Sequence, residues 1–286
     1  MEAGRINNNE NKIRTLYIIL GLSIVTIVFF TAAIVWDIYT IRQGQVFYAS
    51  LSSQVNQLSA QPVEYLSNLI RDREIYVEIE TEIEIEGIEV KEDNVSFIDF
   101  DKMREIFPNI VGWIKSEDTF INYPIVQGAD NYFYLSYLPD GTYHPMGSIF
   151  LDYRNLADFS DSAILIYGHD MRSGDMFGSL KYYADQLYYE KHYSMFIFTP
   201  MRDYKLILFA GYILDSDLEV PPMSFHGSKD FEEYIADIRS RSIFTSGTEV
   251  SFEDRLVFLA TCTRSGKINE RLIIVGKLVE MYSQHS

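Results

Sequence analysis

Cysteine is almost absent. Cys262 is the only one in 286 residues, so no disulfide can form within the chain and the fold must rest on its apolar core. Positive charge is also scarce: 24 Lys and Arg face 41 Asp and Glu, for a formal charge of -17 and a pI near 4.6. Phosphate contacts need clustered Lys and Arg, and their lack argues against a nucleic-acid binder. None of the 5 histidines has a second His or Cys at metal-ligand spacing, so neither a zinc site nor any other metal or cofactor is expected. Internal repeats are missing too. What remains is ordinary for a folded protein: 47% hydrophobic residues, in a chain long enough for one full core or two small ones.

The longest apolar stretch, Leu16 to Trp36, runs 21 residues without a charge. At about 1.5 Å per residue it matches a hydrocarbon core of about 30 Å, and it exceeds the apolar region of about 7 to 15 residues in a cleaved signal peptide. Arg5, Lys12 and Arg14 precede it, while Trp36 and Tyr39 suit the far interface. The expectation is a single-pass cell-membrane protein with residues 1–15 cytoplasmic, a span at 16–36 and the remainder extracellular.

Residues 37–94 read as a juxtamembrane stalk. Tyr48, Leu51, Val55 and Leu58 recur at helical spacing, a stripe suited to packing on the globular domain, and Pro62 predicts a break between two helices. Glu74 to Asp93 alternates Glu with Ile, Val, Thr or Tyr and holds nine acidic residues against Lys91. A strand with one wholly acidic face is destabilised by like charges, so this stretch reads as a solvated linker.

The globular domain is placed at 95–286. Short apolar runs predict strands at Ile110 to Ile114, Thr119 to Val126, Gly147 to Leu151 and Ser162 to Tyr167. Further runs follow at Met195 to Phe198, Tyr204 to Leu214 and Leu256 to Cys262, with a last one opened by Arg271. Helices are predicted at Asp99 to Phe107, Met176 to Tyr189 and Lys229 to Ser240, the last with Phe231, Tyr234, Ile235 and Ile238 at amphipathic spacing. Many short strands with few helices indicate an antiparallel barrel or sandwich.

Two apolar strands end on reactive side chains. Leu256 to Cys262 delivers the lone thiol, and Ser162 to Tyr167 delivers Gly168 and His169. A lone cysteine at a strand end is often just a small buried hydrophobe, but here a base is delivered in the same way. His144, His192, His226 and His285 lie in turns, loops or the tail and read as surface residues. The polar loop 263–270 is short enough for a hairpin that returns Arg271 beside Cys262. Arg264, inside the loop, is its rival, less well fixed than a residue that opens a strand. A Cys, a His and an Arg at strand ends suit acyl transfer: a thiolate attacks a carbonyl, an imidazolium protonates the leaving amine, and a guanidinium stabilises the oxyanion or holds substrate.

Tyr167 to Phe177, reading Tyr-Gly-His-Asp-Met-Arg-Ser-Gly-Asp-Met-Phe, resembles the histidine motif of class B sortases, and Phe258-Leu259-Ala260-Thr261-Cys262 resembles the sortase Thr-Leu-x-Thr-Cys signature. Between Gly112 and Arg154, Gly-Trp-Ile, Ile-Asn-Tyr-Pro-Ile-Val-Gln-Gly and Gly-Ser-Ile-Phe-Leu-Asp-Tyr-Arg are similar to that class as well. The resemblance runs from about Phe97 to Val279. It implies a mainly β fold, a closed eight-stranded barrel with the Lys229 to Ser240 helix in a crossover. It also implies a membrane-anchored cysteine transpeptidase of a Gram-positive cell wall, acting on the C-terminal sorting signal of a surface protein or pilin. The acyl group passes through a Cys thioester to a cell-wall or pilin amine. By motif position Cys262 is nucleophile, His169 general acid and base, and Arg271 oxyanion or substrate clamp. Thr261, Tyr167, Met223 and Phe225 are assigned to substrate binding, the last two in a loop, Asp215 to Lys229, stiffened by Pro221 and Pro222. Phe258 stands where the signature has Thr, a departure expected to change packing more than chemistry. Two rival readings are a membrane-tethered cysteine peptidase, which hydrolyses without joining an amine, and a non-catalytic surface-binding module, for which Cys262 is dispensable.

Overall fold

Some strands here are apolar at nearly every position instead of every second one, the pattern of strands covered on both faces. The computed structural model describes residues 2–72, 98–215, 219–262 and 270–281, with only the backbone of 2–13, 56–72 and 262. The acidic stretch 74–93, Arg264 and His285 lie outside those residues. Four α-helices are described: α1 (Glu2–Asp72), α2 (Phe100–Ile106), α3 (Gln186–Lys191) and α4 (Ser228–Ser240). The strands are β1 (Ile110–Lys115), β2 (Asn122–Gln127), β3 (Ile149–Leu151), β4 (Ala163–Tyr167), β5 (Ser194–Phe198), β6 (Asp203–Asp215), β7 (Leu256–Cys262) and β8 (Glu270–Glu280).

These eight strands close into a barrel in the order β1-β2-β3-β4-β7-β8-β6-β5. The barrel is mixed, not antiparallel as its short strands suggested: β2 pairs parallel with β3, and β4 parallel with β7. Parallel neighbours require a long crossover in place of a tight turn, and residues 128–148 and 168–255 provide the two. Inside the barrel Ile114, Ile125, Ile164, Ile166, Leu206, Leu259 and Ile274 form one core. The opposite faces of β4, β6, β7 and β8 carry Leu165, Phe209, Phe258 and Val275, which pack beneath Phe231, Ile235 and Ile238 of α4. This second layer explains the unbroken apolar runs. Phe258 is fully buried there, with its ring edge-on to Tyr234 at 6.2 Å.

Two compact units are distinguished, Met1–Val46 and Phe47–Ser286. The first is helical, and Leu16, Ile18, Phe29, Phe30 and Trp36 are each more than half exposed on it. In the second unit, Tyr48, Leu51 and Val55 are buried in the barrel's main cluster. The Tyr48 hydroxyl donates to the Gly147 carbonyl at 2.6 Å, and its ring meets Tyr123 edge-on at 5.1 Å. The break expected at Pro62 does not occur, because α1 continues to Asp72. Proline forfeits one backbone hydrogen bond and crowds the preceding turn, yet its fixed φ is helical.

The single helix predicted over Met176 to Tyr189 is instead a 3-10 turn, Gly178–Ala184, followed by α3. Asp185 separates them, its side chain accepting from the Leu187 N–H at 2.8 Å as an N-cap that starts a new helix. Two histidines read as surface residues are buried, His144 and His192. His144 Nδ1 accepts from the Met146 N–H at 3.1 Å, and the His192 ring lies 4.5 Å from that of Tyr188. A place in a turn or at a helix end does not expose a ring when its own neighbours, here the Met146 backbone and Tyr188, pack against it.

Candidate active site

β4 and β7 end side by side. Tyr167 pairs with Ala260, and the Gly168 N–H donates to the Ala260 carbonyl at 3.1 Å. His169 and Cys262 each follow those paired positions by two residues. β8 returns antiparallel, so that Arg271 is the register partner of Cys262 on one side and of Leu214 on the other. The backbone positions of His169, Cys262 and Arg271 therefore lie at one end of the barrel.

Gly168 is required by space, not by a sharp turn: a Cβ there would run into Ile149 Cδ1 and lie 2.8 Å from the Phe177 ring. The chain then folds back through a bridge between Asp170 and Met176, where the Met176 N–H donates to the Tyr123 hydroxyl at 2.9 Å. His169 is half-buried, and its Nε2 stands 2.6 Å from the Leu135 carbonyl. A carbonyl only accepts, so Nε2 carries a proton and Nδ1 is the nitrogen left to exchange one. The group that holds the ring is thus a backbone carbonyl.

Tyr167 is tied down from below. Its hydroxyl donates to Asp152 Oδ2 at 3.0 Å, and its ring stacks on Phe150 with centroids 5.3 Å apart. Asp152 has no exposed surface. Burial would raise its carboxyl, but hydrogen bonds from the Arg154 side chain and backbone, Asn131 and Tyr167 outweigh that and hold it down at about 2. The Tyr167 phenol is pushed up, mainly by burial and then by Asp152, while the positive charges of Arg154 and Arg271 act against the rise.

The other expected substrate residues divide. Met223 and Phe225, like Tyr167, each pack against the outer cluster that includes α4, and the Phe225 ring meets Phe231 at 5.0 Å. Thr261 lies elsewhere. It pairs with Leu272, is buried to 3% exposure, and its Oγ1 has no hydrogen-bond partner among the described residues. No cluster of three or more His, Cys, Asp or Glu able to hold a metal occurs among the described residues. Sequence reasoning missed Leu135, whose contribution is a carbonyl common to all residues, and the set Asp152, Arg154 and Asn131. The signals for that set were the spacing of Asp152 and Arg154 just past a strand and their place in the Gly147 to Arg154 segment that resembles the class.

A closed barrel with a cysteine, a histidine and an arginine at the strand ends on one side, and a helix in the crossover, defines a class, and comparison with known proteins specifies it. No protein-family model matches. Sortase B of Listeria monocytogenes is 35% identical over 178 residues, 62% of this chain and 72% of that protein. The crystal structure of a Staphylococcus aureus sortase B–substrate complex superposes with a TM-score of 0.61 at 29% identity, covering 64% of this chain and 85% of the other. A sortase B complexed with triglycine gives 0.59 at 29% identity, covering 64% and 86%. The chain belongs to the sortase B family. It is accordingly a sortase-type cysteine transpeptidase.

Proposed function

We propose that Cys262, His169 and Arg271 carry the transpeptidation, and that the substrate is the C-terminal sorting signal of a surface protein or pilin. The observation that carries this reading is the register that sets Arg271 opposite Cys262 while β4 and β7 end in parallel at His169. The Cys262 thiolate attacks the scissile carbonyl. Arg271 stabilises the oxyanion, and the C–N bond breaks as the imidazolium of His169 gives its proton to the departing amine. A thioester remains. An incoming cell-wall or pilin amine gives a proton back to the imidazole, attacks the thioester and expels the thiolate. The solved sortase B complexes with substrate and with triglycine support a peptide and an amine as the two partners. Tyr167, Met223 and Phe225 supply an apolar wall for the peptide; Thr261, buried beside Leu272 on the other face of β7, is not part of it.

The catalytic domain is assigned to 95–286, with 1–15 cytoplasmic, 16–36 in the membrane and 37–94 linking the two. One described helix is long and apolar enough to span a bilayer, within Arg14–Val55. Tyr48, Leu51 and Val55 are packed in the barrel core and so are unavailable to lipid, which supports a span nearer the start of that stretch, at Leu16 to Trp36. Protease added to intact protoplasts is expected to reach the domain bearing Cys262, and its protection would reverse the topology.

The chemical test is mass spectrometry of the detergent-solubilised chain with an Asn-Pro-x-Thr-like peptide and a panel of wall-peptide and lysine amines. Wild type is expected to form a thioester and then amine-linked product. Cys262→Ala abolishes the thioester, His169→Ala nearly does so, and Arg271→Ala costs on the order of a hundredfold in rate, as lost oxyanion donors do. Arg264→Ala is mild. Hydrolysis alone with every amine would favour a peptidase.

A further inference from the structure

Asp152 is an anomaly for a side chain with no assigned task. Burying an ionised carboxylate is unfavourable, and pairing it with an arginine seldom recovers more stability than an apolar replacement would. Yet every acceptor site on it is used. Oδ1 accepts from Arg154 Nε at 2.9 Å and from the Arg154 backbone N–H at 3.0 Å. Oδ2 accepts from Arg154 Nη2 at 2.8 Å, Asn131 Nδ2 at 2.9 Å and the Tyr167 hydroxyl at 3.0 Å. The backbone is held as firmly: the Asp152 N–H donates to Leu165 and its carbonyl accepts from Gln127 Nε2, each at 2.9 Å. Asn131 is itself fixed, its Oδ1 accepting from the Tyr153 N–H at 3.0 Å.

All of this holds one phenol. Tyr167 has a single hydroxyl proton and gives it to Asp152, so towards any other neighbour its oxygen offers only lone pairs. The neighbour at the site is Arg271. Tyr167, Ala260 and Ile273 lie in one row across β4, β7 and β8 and share the outer apolar cluster. Arg271, two residues from Ile273, is on the same face of β8. With strands about 4.8 Å apart, β8 lies about 10 Å from Tyr167, near enough for the Arg271 charge to act on the phenol.

We propose that Asp152, buttressed by Arg154 and Asn131, is a positioning residue: it fixes the Tyr167 hydroxyl so that the phenol oxygen orients the Arg271 guanidinium opposite Cys262. The proposal rests on Arg271 being the oxyanion clamp. Asp152 touches neither substrate nor thiol. Its effect is on the rate of acylation, through the geometry of the guanidinium, and not on the affinity for peptide or the reactivity of the thiol.

The test measures single-turnover acylation by the solubilised full-length enzyme, with peptide KM, the rate of Cys262 alkylation by iodoacetamide and the thermal midpoint beside it. Tyr167→Phe removes only the hydroxyl, and Asp152→Asn removes the charge. Each is expected to slow acylation about tenfold, with KM and alkylation within twofold of wild type. In an Arg271→Ala background Tyr167→Phe is expected to add no further loss, since residues that act as one unit are not additive. Unchanged acylation, a multiplicative loss on top of Arg271→Ala, or a loss confined to KM would overturn the proposal. If Asp152→Asn fails to fold, the Tyr167→Phe cycle decides alone. Wild type that forms no thioester would instead overturn the catalytic reading, a distinct outcome.

Discussion

Asp152 carries a consequence in acid that needs no substrate to observe. Its carboxyl is held at about 2 against an ordinary value of 3.8, so between those values the unfolded chain binds the proton that the folded chain refuses. The stabilisation is therefore complete above about pH 4 and is lost as pH falls towards 2, a difference of roughly 2 kcal/mol. Urea unfolding of wild type between pH 5 and pH 2.5 should show that loss over and above the loss in Asp152→Asn. Parallel pH profiles would mean the carboxylate is not ionised in the fold. At this scale the sequence was legible where a side chain has a distinctive chemistry and a distinctive place. Cys262 and His169 stand at the ends of apolar runs, and Arg271 opens one. The burial of Asp152 was not legible: the resemblance covers its segment, but an Asp two residues before an Arg in a polar turn otherwise reads as solvated surface. Its burial is made by Asn131 and Tyr167, which come from other parts of the chain.

Among the elements, the stretch from Glu219 into α4 has a fastening of its own. Arg241, just past α4, donates to both carboxylate oxygens of Glu219, to Oε2 at 2.8 Å through Nη1 and to Oε1 through Nη2. It also pairs with Asp237 at 2.9 Å and covers the Tyr212 ring at 4.5 Å. Glu219, by its hydrogen bonds above all, raises the guanidinium further above its ordinary range. This clamp ties the segment bearing Met223 and Phe225 to the helix beneath it. Glu219→Gln, which keeps the shape and removes the charge, is expected to raise peptide KM several-fold and leave alkylation of Cys262 unchanged. An unaltered KM would show that the segment holds its place by apolar packing alone. The helix itself was legible from its spacing of Phe231, Ile235 and Ile238. The parallel pairings were not, since strand direction is settled by how a long crossover returns and no local pattern records it.

On the scale of the molecule, the residues that complete the barrel's core begin earlier than composition suggests. A boundary near Val95 follows the end of the acidic stretch, but Tyr48, Leu51 and Val55 already belong to the core. Burying three such side chains is worth roughly 5 kcal/mol. For a unit of this size that corresponds to about 10 °C or more in thermal midpoint. A chain starting at Val95 should therefore melt about that far below one starting at Ile41, as read by differential scanning calorimetry. Equal midpoints would make the helical segment a passenger.

The mixed topology also governs when the nucleophile becomes one. Every residue of β4 pairs with β7, yet the 168–255 crossover divides them in the chain, and such distant pairings are among the slowest to form because loop entropy is surrendered before any contact compensates it. On the proposed assignment, the thiol has neither imidazole nor guanidinium beside it until that closure. A half-folded copy thus holds an ordinary cysteine, and the capacity to cut peptides arrives only with the finished barrel, a safeguard of timing for an enzyme that would otherwise meet its own unfolded neighbours.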